Sequence, residues 1–116
     1  MSSKLPITVL IAAKNEEANI GRCLSALTPA QRIVVVDSKS QDGTARISRE
    51  AGAEVVQFDY RGGYPKKRQW ALANLRIETP WVLLIDADEV VPRTLWQEIH
   101  QEISNPNGSV AYTVSK

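Results

Sequence analysis

Trp81-Val82-Leu83-Leu84-Ile85-Asp86-Ala87-Asp88-Glu89 is the stretch whose reading decides the fold. Five apolar residues run unbroken and then meet three carboxylates within four positions. An apolar run of this length predicts a strand buried on both faces, as in the interior of a parallel sheet. Pro80 suits the start of such a strand, because it has no N–H to give to a ladder. The carboxylates then fall at the carboxyl end of the strand, where open α/β sheets hold their ligands. Asp86 and Asp88 are two apart, so a backbone turn at Ala87 lets both reach one divalent cation. Hard oxygen donors of this kind suit Mg2+ or Mn2+, with substrate phosphates completing the shell. The bland alternative is an acidic turn that caps the following helix.

Working back from this stretch, residues 7–13 are apolar and rich in β-branched side chains, which predicts a second central strand. Asn15 is placed as the N-cap of a helix, with Glu16 and Glu17 at its positive end. Ile20, Leu24 and Leu27 recur at helical spacing with Cys23 beside them, and Pro29 stops the run. Residues 33–37 are a further buried strand ending in Asp37, followed by the polar turn Ser38-Lys39-Ser40-Gln41-Asp42-Gly43-Thr44. A helix is expected from Thr44 to Ala51, closed by Gly52, and a shorter strand over 54–59. Strand, helix, strand, helix, strand implies right-handed crossovers. The expected fold is therefore α/β, a Rossmann-like and mostly parallel sheet with helices on both faces.

Beyond a two-glycine loop at 61–65, Lys66-Lys67-Arg68 opens a helix carrying Trp70, Leu72, Ala73 and Leu75. Three cations at a helix amino end oppose the dipole. Such a misfit marks a place awaiting an anion, the alternative being a solvated basic face. After Pro92, Leu95, Ile99 and Ile103 form an apolar stripe with Trp96 alongside, which is a core-facing helix. His100 falls one position past Ile99 and reads as a surface or helix-end residue. Glu98 and Glu102 look solvent-facing. A turn at 105–108 leads to the alternating Val110, Tyr112 and Val114, a half-exposed strand at the sheet edge. An unpaired edge invites pairing, with a second polypeptide or a second copy of the chain.

The totals bound what such a domain does. The chain has 116 residues, 43% of them hydrophobic and 23% charged, and its net charge is +1. This is the composition of one ordinary globular domain. It carries no global field for nucleic acid or an anionic membrane, so any basic function is local. A single cysteine, Cys23, permits no intrachain disulfide and reads as a small buried hydrophobe in a reducing compartment. No stretch approaches the roughly 20 apolar residues of a membrane span, and none resembles a signal peptide. The expected location is cytoplasmic, with peripheral contact at the inner membrane face left open.

Asn15-Glu16-Glu17, Asp37 and Asp86-Ala87-Asp88 all close strands, and in a parallel sheet their ends share one edge. Asp37 accepts hydrogen bonds only, which suits a ribose or a base edge. An aspartate pair with a metal, and nearby cations, suits a diphosphate. Together these groups describe a site for a nucleoside diphosphate. Neither a P-loop nor a Gly-x-Gly-x-x-Gly fingerprint is present to explain it otherwise.

These residues resemble a known family. The opening strand with its Asn-Glu turn, Val34-Val35-Val36-Asp37-Ser38 followed by Ser40-Gln41-Asp42-Gly43-Thr44, the basic turn at 66–72, and Leu84-Ile85-Asp86-Ala87-Asp88-Glu89 occur in the order found in family-2 glycosyltransferases of the GT-A fold. The resemblance covers residues 5–116. Gly63-Tyr64-Pro65-Lys66-Lys67-Arg68-Gln69 and Asp86-Ala87-Asp88-Glu89-Val90-Val91 look most like lipopolysaccharide core β-glucosyltransferases. The resemblance implies a UDP-sugar donor, Mn2+ or Mg2+, and inverting sugar transfer. It implies Ala12, Ala13 and Glu16 beside uracil and ribose, Asp37 on the base or ribose, and Lys67 and Arg68 on the base or diphosphate. It further implies Asp86 on ribose and metal, with Asp88 as the principal metal ligand.

One departure qualifies the match. In that family the general base lies well beyond the metal motif, whereas the only carboxylates here after Glu89 are Glu98 and Glu102. Inversion needs a base within hydrogen-bond reach of the attacking hydroxyl. The expectation is an incomplete donor-binding half, with no catalytic base assigned. A non-catalytic nucleotide-binding or regulatory module is the alternative. A receiver-like phosphoacceptor domain fits less well, since it wants paired acids after the first strand and a lysine after the last. A nucleotidyltransferase lacks its glycine-rich loop here.

Overall fold

The computed structural model describes residues 4–59, 67–103 and 112–113. Nine elements follow in the order β1 (Leu5–Ala13), α1 (Ile20–Ser25), β2 (Ala30–Asp37), α2 (Thr44–Glu50), β3 (Glu54–Gln57), α3 (Lys67–Asn74), β4 (Trp81–Asp86), α4 (Arg93–Ile103) and β5 (Tyr112–Thr113). The sheet order is β3-β2-β1-β4-β5, and every described pairing is parallel. The chain thus winds outward from β1 to one side and then returns to the other, which leaves a switch point between β1 and β4. Ligands of open α/β sheets gather at such a point.

Two apolar layers hold the sheet. On one face Val9, Ile11, Val35, Leu83 and Ile85 pack with Ile20, Cys23 and Leu24 of α1 and with Trp96 and Ile99 of α4. On the other, Leu10, Val34 and Val36 pack with Phe58 and with Trp70 and Ala71 of α3. Helices therefore cover both faces, as expected. The coverage is unequal, and this corrects the reading of β4 as fully buried on both sides. Trp81, Leu83 and Ile85 are buried, while Val82, Leu84 and Asp86 are only half-buried. The even positions face the thinner layer, whose one described helix is α3.

Local expectations shift at two ends. Asn15 is not an N-cap: its backbone is left-handed at φ 51°, and α1 starts at Ile20 behind Asn19. Asparagine tolerates that region because its short polar side chain satisfies local backbone groups. Gly52, at φ 91°, closes α2 as expected, and its N–H donates to the Arg49 carbonyl at 3.0 Å. Strand β3 is shorter than its sequence suggested and ends at Gln57. The loop at 61–65, Lys66, the turn at 105–108, Val110 and Val114 lie outside the described residues, and β5 takes the sheet edge beside β4. Among the described residues no helix is long and apolar enough to cross a membrane.

Candidate donor-nucleotide and metal site

Register brings the predicted residues to one edge. Ala13 lies opposite Asp37, and Ala12 lies opposite both Val36 and Asp86. Ala12, Ala13, Asp37 and Asp86 thus come from three neighbouring strand ends. Glu16 follows in the turn after β1, and Asp88 in the turn after β4. Lys67 and Arg68 open α3, but their side chains lie outside the described residues.

The two turns beside β1 and β2 are laced together. Ser40 Oγ accepts the Asn15 N–H at 2.7 Å, and Asn15 Oδ1 accepts the Gln41 N–H at 2.8 Å. Thr44 Oγ1 accepts the Glu16 N–H at 2.8 Å, and Asp42 accepts the Glu17 N–H at 3.1 Å. Glu17 in return accepts the Gly43 N–H at 2.9 Å. The Thr44 hydroxyl donates to Asp42 and, with the backbone N–H groups of Thr44 and Glu17, holds that carboxyl below its usual range. The Ser-x-Asp-Gly-Thr segment is therefore a clasp that fixes where Glu16 sits.

Asp37 is fully buried. Its Oδ2 accepts the Ser40 N–H at 3.1 Å and Gln57 Nε2 at 2.9 Å, and its Oδ1 accepts the Ser40 hydroxyl. Gln57 Oε1 also accepts the Lys39 N–H at 3.0 Å, where the backbone is left-handed at φ 50°. A carboxylate has about four lone-pair sites, so three donors nearly fill it. Ser40 stood out in the sequence only as part of the Ser40-Gln41-Asp42-Gly43-Thr44 motif, and Gln57 did not stand out, because a glutamine at a strand end is unexceptional.

The turn after β4 is a second fixed unit. The Glu89 N–H donates to the Asp86 carbonyl at 3.0 Å, and Glu89 Oε1 accepts the Asp86 N–H at 2.8 Å. The Ala87 N–H donates to the Ala12 carbonyl at 3.0 Å, which ties the turn to β1. Glu89 is only 5% exposed, and its Oε2 has no hydrogen-bond partner among the described residues. Beneath lies Cys23, whose thiol faces the Asp86 carbonyl at 3.9 Å. Burial pushes that thiol up to about 12, helped by the charges of Glu89, Asp88 and Glu16.

These residues fit a hard divalent cation. The donor set is carboxylate oxygen, and a buried carboxylate with an unsatisfied oxygen is offset by a nearby positive charge. No group of three or more His, Cys, Asp or Glu among the described residues stands ready to cage an ion. Mg2+ is commonly held by one or two carboxylates, with phosphate oxygens supplying the rest of its shell.

A parallel α/β sheet with acid-bearing turns at its switch point is the nucleotide-binding architecture of GT-A glycosyltransferases. The family described as Glycosyl transferase family 2 matches residues 8–116, and the chain belongs to that family. It is 34% identical, over its full length, to the lipopolysaccharide core biosynthesis glycosyltransferase LpsC of Rhizobium meliloti, spanning 44% of that protein. Among solved structures it is similar to glucosyl-3-phosphoglycerate synthase from Mycobacterium tuberculosis in complex with Mn2+, UDP and glucosyl-3-phosphoglycerate. The TM-score there is 0.64 and the identity 28%, covering 79% of this chain and 37% of that one. Mannosyl-3-phosphoglycerate synthase from Rubrobacter xylanophilus gives a TM-score of 0.61 at 29% identity, covering 75% and 32%. The chain thus spans less than half the length of these relatives.

Proposed function

We propose that these residues form the donor half of an inverting glycosyltransferase that takes a UDP-sugar with Mn2+ or Mg2+ and serves cell-envelope glycan assembly. The observation that carries this reading is the alignment of Ala12, Ala13, Asp37 and Asp86 at one sheet edge. The likeness to a synthase solved with UDP and Mn2+ supports the choice of nucleotide and metal. The likeness to LpsC supports an envelope acceptor. Ala12 and Ala13 offer a low wall for the uracil, and Glu16 and Asp37 offer acceptors to base and ribose. Lys67 and Arg68 supply positive charge for the diphosphate. Asp86 and Asp88 hold the cation, which when bound acts as a Lewis acid on the leaving diphosphate. The groups named here serve donor binding, and none of them is assigned as the general base for the acceptor hydroxyl.

Calorimetric titration of UDP, with and without Mn2+, tests this on wild type and Asp88→Ala. Binding is expected only with Mn2+, and its loss in the variant amounts to at least tenfold, about 1.4 kcal/mol. A folded protein that takes up no UDP under any of these conditions would leave the family likeness as scaffold alone.

A further inference from the structure

Glu89 is a carboxylate that donor binding does not itself require. It is buried, it uses one oxygen on the Asp86 N–H, and its other oxygen has no hydrogen-bond partner among the described residues. The reason for its position lies in the ladder. Successive residues of a parallel strand send their N–H groups to opposite neighbours. The Ala87 N–H goes to Ala12 on the β1 side, so the Asp86 N–H points to the β5 side. There the described pairing ends at Leu84 opposite Thr113. A backbone donor at this depth needs an acceptor. Glu89 Oε1 supplies it, and the Glu89 N–H closes the same turn on the Asp86 carbonyl.

We infer that Glu89 is a positioning residue for the cation site: by accepting the Asp86 N–H it fixes the Asp86-Ala87-Asp88 turn so that both aspartates meet one ion. The inference rests on the donor-site reading above. Glu89 acts through Asp86 and is not itself counted among the ligands. Outer partners of this kind tune metal affinity by holding the ligands still, and removing one costs about 10–100-fold in affinity.

Two variants and two readouts test it. Glu89→Ala removes the acceptor, while Glu89→Gln keeps an amide oxygen at the same place. In metal-free, 15N-labelled protein, the Asp86 amide is expected to exchange with solvent faster in Glu89→Ala than in wild type, and Glu89→Gln restores its protection. In Mn2+ titrations followed by electron paramagnetic resonance with UDP present, Glu89→Ala weakens binding by about tenfold or more, and Glu89→Gln stays within about threefold of wild type. Near-ultraviolet circular dichroism from the tryptophans establishes that each variant is folded. If Glu89→Ala does not fold, Glu89→Gln decides alone: near-wild-type binding and protection support the inference. Wild-type Mn2+ affinity in a folded Glu89→Ala overturns the inference, as does a Glu89→Gln variant that loses Asp86 protection or binds as weakly as Glu89→Ala. If wild type itself takes up no Mn2+ with UDP, it is the donor-site reading that fails, and the metal-site role of Glu89 fails with it.

Discussion

Asp37 and Glu89 are both buried carboxylates at the carboxyl edge of the sheet, and they are satisfied to different degrees. Among the described residues Asp37 receives three donors, from Ser40 and Gln57, whereas Glu89 receives one, on Oε1. Burying an ionised group is expensive unless hydrogen bonds or an opposite charge offset it. Asp37 is therefore nearly satisfied, with about one acceptor site left, whereas Glu89 keeps an oxygen with no partner among the described residues. Cys23 registers the same concentration of negative charge. With its thiol pushed up to about 12, it stays protonated across the physiological range, and the thiolate is the reactive form. Reaction of the native protein with a disulfide reagent at pH 8 is expected to be slow, by roughly 100-fold or more against the urea-unfolded chain, whose thiol has an ordinary value near 8.5. Equal rates in the two states would contradict both the burial and the shift. Cys23 was legible in the sequence as a buried small hydrophobe. Glu89 was not legible as a buried residue, because the third acid of an acidic run reads as solvated and its partner is a backbone N–H.

At the scale of elements, the strands were more readable than the shape of the turn after β1. Apolar, β-branched runs marked β1, β2 and β4, with an acid directly at the end of β2 and β4 and in the turn after β1, and parallel order then forced their carboxyl ends together. The turn after β1 misled because Asn15-Glu16-Glu17 has the composition of a helix start. What decides its shape is a set of partners about 25 residues away in the chain, in Ser40, Gln41, Asp42 and Thr44, which no local pattern encodes. Thr44 is the buried centre of that clasp, with its hydroxyl between the Glu16 N–H and Asp42. Thr44→Val keeps the shape and deletes both bonds. It is expected to cost about 1–3 kcal/mol in urea unfolding, since the Glu16 N–H loses its partner. Thr44→Ser is expected to recover most of that loss. A valine variant as stable as wild type would mean the clasp contributes little.

At the scale of the whole molecule, the proposed function separates donor binding from group transfer. Transfer by inversion needs a carboxylate or similar base within hydrogen-bond reach of the acceptor hydroxyl, on the side of the sugar away from the diphosphate. Beyond Glu89 the candidates are Glu98 and Glu102, and both are exposed on α4. As a crossover helix between the parallel strands β4 and β5, α4 starts at the carboxyl edge and runs back towards the other end of the sheet. At about 1.5 Å per residue, Glu102 lies some 13 Å down that axis from Arg93. Trp96 and Ile99 anchor the helix in the core, with the Trp96 indole N–H donating to the Ala26 carbonyl at 2.8 Å. Both glutamates are exposed on a helix held in place by that anchor. With UDP-glucose and Mn2+ these residues alone are therefore expected to bind donor and to release no UDP above background when a lipopolysaccharide core oligosaccharide is added. The readout is a coupled assay for UDP run beside the calorimetric titration. Sustained, acceptor-dependent UDP release that survives Glu98→Gln with Glu102→Gln would show that the base lies among residues assigned here to donor binding.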